Sequence, residues 1–78
     1  MTLSEEILRI ARPYLGLATN DLVLRVSRTL VGVELARVEH QQVHSLAYWV
    51  GIAAGRLMAT ERAQELARRI RELGGSER

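Results

Sequence analysis

Cysteine is absent from the 78 residues of this chain, which removes disulfides and every thiolate-based metal or redox site. Metal ligands are then confined to Asp, Glu, His and backbone oxygen. Lysine is absent too, so all 11 cationic side chains are arginine; a GC-rich genome would give that bias without functional pressure. Asp21 is the only aspartate and Pro13 the only proline. No apolar run is long enough for a bilayer span: the stretch from Val43 to Met58 is broken by His44, Ser45 and Arg56. The opening MTLSEEILRI starts acidic and reads as a capped helix, not a signal peptide. A soluble cytoplasmic protein of bacterial flavour is expected.

Little charge of either sign is left over. The 11 arginines face 9 acids, for a net charge of +2, and the excess lies wholly in the second half of the chain. The isoelectric point of about 9.9 overstates this, because few groups titrate between neutrality and that pH. Such a balance is a weak pointer to nucleic acid. At this length one domain is the most that can form, and a single core barely outweighs chain entropy. Without disulfides, regular helix packing and self-association remain as supports.

What is present is helical periodicity from end to end. A first helix is expected from an N-cap at Ser4, with Glu5 and Glu6 set against its dipole and Ile7, Ile10, Ala11 and Tyr14 as its stripe. Pro13 should kink or break it, and Gly16 should end it. A second helix starts at Thr19 or Asn20, buries Leu22, Val23, Val26 and Leu30, and stops at Gly32. The segment GVELARVE then returns Val33, Leu35 and Val38 to the core. The third helix is EHQQVHSLAYWVGIAAGRLM, residues 39–58. The fourth starts at a Thr60 cap, turns Ala63, Leu66, Ala67, Ile70 and Leu73 inward, and stops at Gly74-Gly75. Its outer face carries pairs at Glu65–Arg69 and Arg68–Glu72. The expectation is an all-α, compact antiparallel four-helix bundle with a kinked first helix and a central third. It forms a single domain over 1–75, with 76–78 as a frayed tail.

The third helix carries the functional signal. Val43, Leu46, Ala47, Val50, Ala54 and Leu57 make its core stripe. Trp49 and Ile52 point away from that stripe, and His44, Tyr48, Gly51 and Gly55 occupy a further face. A helix apolar nearly all round should be buried nearly all round, which a domain this small cannot easily arrange. Glycine costs about 1 kcal/mol against alanine inside a helix. Two of them four residues apart suggest that a backbone comes close, from within the chain or from a second copy.

The other motifs are thin. His40 and His44 at i,i+4 could face one metal, but Gln41 stands where a metalloprotease needs Glu. A third ligand would have to be Glu34, Glu39 or a symmetry mate. Ser27 and Ser45 have no evident triad partners, and no glycine-rich phosphate loop exists, so no catalytic residue, metal or cofactor is expected. On the last helix Arg62, Arg68, Arg69 and Arg71 could contact DNA, yet Glu61, Glu65 and Glu72 interleave with them. Helix four also lacks the exposed aromatics of a membrane-surface helix.

The expected function is therefore a non-catalytic protein–protein interaction module, joining another helical protein or a second copy. Trp49, Ile52, Gly51, Gly55, Tyr48 and His44 form its surface, with Leu17 and Leu24 as neighbours because each falls off its own stripe. A small DNA-binding transcriptional regulator using the four arginines is the alternative.

Overall fold

The computed structural model describes residues 2–75. The tail expected to fray, residues 76–78, lies outside them. All regular structure among the described residues is helical. Helix α1 spans Leu3–Leu15 and is capped by Thr2, two residues earlier than Ser4. Thr2 accepts from the Glu5 backbone N–H at 3.2 Å, and the Glu5 carboxylate accepts from the Thr2 N–H at 2.9 Å. This reciprocal capping box satisfies two donors at once, which a lone Ser4 cannot do. Pro13 does not break the helix, because it falls in the last turn, and α1 ends two residues later. Gly16, at φ +60°, closes α1 by donating to the Arg12 carbonyl.

A 3-10 turn, Gly16–Ala18, leads into α2, Thr19–Val26. The second helix expected to reach Gly32 does not stay α-helical. It widens into a π-helical turn over Ser27–Val31, which Gly32 terminates at φ +87°. The buried Ser27 explains the change, since its carbonyl accepts from both Gly32 and Val33 N–H while its hydroxyl donates back to the Val33 carbonyl. Widening the last turn shifts the face after Val26, so Leu30 is 49 % exposed rather than buried. The following loop behaves as expected: Leu35 and Val38 are buried around a 3-10 turn, Leu35–Arg37.

Helix α3 spans His40–Ala54 and α4 spans Thr60–Gly75. They form an antiparallel pair. A Cβ on Gly51 would lie 2.9 Å from that of Ala67, and one on Gly74 would lie 3.1 Å from the His40 carbonyl and 3.2 Å from Val43 Cβ. Val43, Leu46, Ala47, Val50 and Ala54 from α3 meet Ala63, Leu66 and Ile70 from α4 in one core, joined by Ile7, Ala11 and Leu15 of α1. The molecule is compact, with a radius of gyration of 11.0 Å.

Two features of the expected bundle change. The helices are unequal, with three of 13 to 16 residues and α2 of only 8. Nor does α3 sit alone at the centre: α1 packs chiefly on α4 and α2, so α4 shares that place. Among the described residues, no helix is long and apolar enough to cross a membrane.

Candidate interaction surface

The face of α3 turned away from the core is open and apolar. Tyr48 is 62 % exposed and Ile52 45 %, one turn apart on the same side. Trp49 is half-buried against the core, and its ring meets that of Tyr48 edge-on at 5.1 Å between centroids. Between α3 and the α2–π segment runs a groove of about 600 Å³, with Trp49, Ile52 and Ala53 on one wall and Leu22, Val26 and Leu30 on the other. Leu57 closes its end. It was expected in the core stripe, but α3 stops at Ala54 and the chain turns, leaving Leu57 62 % exposed.

The two glycines separate. Gly51 faces α4, so the close approach there comes from within the chain and the residue is not open to a partner at that contact. Gly55 is the C-cap of α3, at φ −61°, and a Cβ there would touch only carbonyl oxygens of its own helix at 3.4 Å. Nothing approaches it. The second close approach uses Gly74, which the sequence reads as a mere terminator. His44 is exposed.

Of the proposed neighbours, Leu17 is fully exposed and Leu24 is 38 % exposed, but neither lines the groove. Its real second wall, Leu22 and Leu30, belonged to the expected buried face of the second helix. The π turn is what brings Leu30 out, and no periodicity signals it.

The metal candidates fall apart on inspection of their neighbours. Glu39 caps α3 and accepts from Gln41 at 3.1 Å, while Glu34 pairs with Arg28 at 3.3 Å. Among the described residues, no three of His, Asp and Glu converge.

The four arginines of α4 also divide. The Arg62 guanidinium lies 4.8 Å from the centre of the Tyr14 ring and donates to the Pro13 carbonyl at 3.5 Å, so it ties α4 to α1. Arg69 pairs with Glu65 at 3.7 Å. Arg68 forms no ion pair among the described residues, so the expected Arg68–Glu72 pair is not made. With Arg71 it lines a second groove, between α3 and α4. Arg56 joins them there, and the sequence reading missed it. Its spacing was the available clue: Tyr48 and Ile52 stand four residues apart on one side of α3, and Arg56 follows four residues later in the turn beyond its end. Compared with family models, curated proteins and solved structures, the chain finds no match, and its site stands on this geometry.

Proposed function

We propose that this chain is a cytoplasmic, non-catalytic interaction module of bacterial origin. It self-associates through the open side of α3, with the short α2 and its π turn counted as the fourth member of a four-helix bundle. The observation that carries this reading is the group Leu30, Ile52, Leu57 and Tyr48, exposed around a half-buried Trp49. Isolated surface leucines are ordinary, but a contiguous apolar patch around an aromatic anchor marks a contact surface. Seating the same groove of a second copy against it would cover Leu30, Trp49, Ile52 and Leu57 at once, in a two-fold arrangement, with Tyr48 at its margin.

Light scattering over a concentration series, with Trp49 fluorescence read on the same samples, tests this. A dimer or larger species is expected, with a blue-shifted indole emission that reddens on dilution. A monomer at every concentration with constant emission would overturn the reading. The DNA alternative has less support, because Arg62 and Arg69 already have partners inside the chain.

A further inference from the structure

The second groove differs from the first in its chemistry. It is an open cleft of about 680 Å³ between α3 and α4. Its floor is made of small residues, Gly51, Ala63 and Ala67, at the point where the two helices come closest. Tyr48 and Ile52 form an apolar rim on the α3 side. Among the described residues, three guanidinium groups stand around it, those of Arg56, Arg68 and Arg71, and no acidic residue lines it. None of the three makes an ion pair among the described residues, whereas Arg25, Arg28 and Arg69 each have a carboxylate partner.

From this charge arrangement we infer that the α3–α4 groove binds an acidic amphipathic helical segment of a partner protein. Tyr48 and Ile52, both exposed, receive its apolar side chains. The three arginines receive its carboxylates, for which the guanidinium fork is geometrically matched. A nucleic-acid phosphate backbone would use the same cations but would leave the apolar rim unmatched. With a net charge of only +2, the chain also lacks the broad positive field that duplex binding draws on. This surface adjoins the one proposed for self-association: Tyr48, Ile52 and Arg56 serve both, whereas Arg68 and Arg71 belong to this groove alone and Trp49 and Leu57 to the other.

The test is fluorescence anisotropy with a fluorescein-labelled helical peptide of Leu, Ala and Glu. The same peptide with Gln for Glu and a labelled mixed-sequence DNA duplex are run beside it. The Glu peptide is expected to bind on the order of ten-fold or more tightly than the Gln peptide, and to weaken with added salt. Arg68→Glu combined with Arg71→Glu should abolish that preference, and Arg37→Glu, outside the groove, should not. Arg68→Gln with Arg71→Gln serves if the charge reversal fails to fold by circular dichroism. Leu57→Glu, aimed at self-association, should leave peptide binding intact, which separates failure of one surface from failure of the other. Absence of binding, equal binding of the Gln peptide, indifference to the arginine changes, or tighter binding of the duplex would each overturn the inference.

Discussion

Helix α3 has two flanks with opposite treatment of similar residues. Toward α4 it presents Gly51 to Ala67 at a distance where no side chain fits, and around that contact Val43, Leu46, Val50, Leu66 and Ile70 are fully buried. Toward α2 it presents Trp49, Ile52 and Ala53 across a groove that none of the described residues fills. Hydropathy alone treats the two flanks alike. Distance to the neighbouring backbone is what separates them. The closed flank stabilises the fold, and the open flank is where substitutions should change association and leave the fold alone.

The largest effect should come from the closed flank. Leu66→Ala removes a fully buried side chain from the shared core and should cost about 3 kcal/mol, read as a lower midpoint in urea unfolding. Next comes Gly51→Val, which drives a branched side chain into the Ala67 contact and should cost about 2 kcal/mol. Pairing it with Ala67→Gly should recover part of that loss. If the double variant were no better than Gly51→Val alone, close approach would not be the reason for glycine at 51.

A smaller effect of opposite sign is expected at the other glycine. Gly55→Ala meets only ordinary contacts at a helical φ, so it should stabilise by about 0.5 kcal/mol, by restricting the unfolded chain. Gly51→Ala, with the same chemistry, should not. Thermal melts of the two single variants therefore test the comparison directly. Smaller still is the change in stability for Ile52→Glu on the open flank, expected within about 0.5 kcal/mol of the parent, while its light-scattering mass falls to that of the monomer.

The capping box gives a pH prediction of modest size. Hydrogen bonds from the Thr2 backbone, and then its side chain, hold the Glu5 carboxyl below its ordinary value of 4.5. A depressed carboxyl contributes stability above its unfolded pKa and loses it as pH falls through the folded one. The start of α1 should therefore loosen in acid below that value, and Thr2→Ala, which removes the side-chain hydrogen bond but keeps the backbone one, should move the Glu5 titration, followed by carboxyl NMR shifts, only part of the way back to the ordinary range.

Much of the core was legible because it follows from local rules. Ile7 and Ala11 in α1, the α3 stripe from Val43 to Ala54, and Ala63, Leu66 and Ile70 in α4 are buried where helical periodicity puts them. Gly16 and Gly32 end their segments where expected, since positive φ is cheap only for glycine. The surface was half legible. Tyr48 and Ile52 are exposed, as their place off the stripe suggests, whereas the exposure of Leu30 and Leu57 and the place of Arg56 were not legible. Their exposure depends on a π turn and on the end of α3, events that change the periodicity itself.

By itself, then, the sequence determined that the chain is helical, where its main stripes run, and that α3 holds more apolar surface than one stripe needs. These are consequences of side-chain order along a single backbone. The tertiary structure alone decided which glycine is a contact and which arginines are already engaged. It also decided which apolar residues stay open, because each depends on how near a second helix comes, and that separation is set by packing between segments distant in sequence.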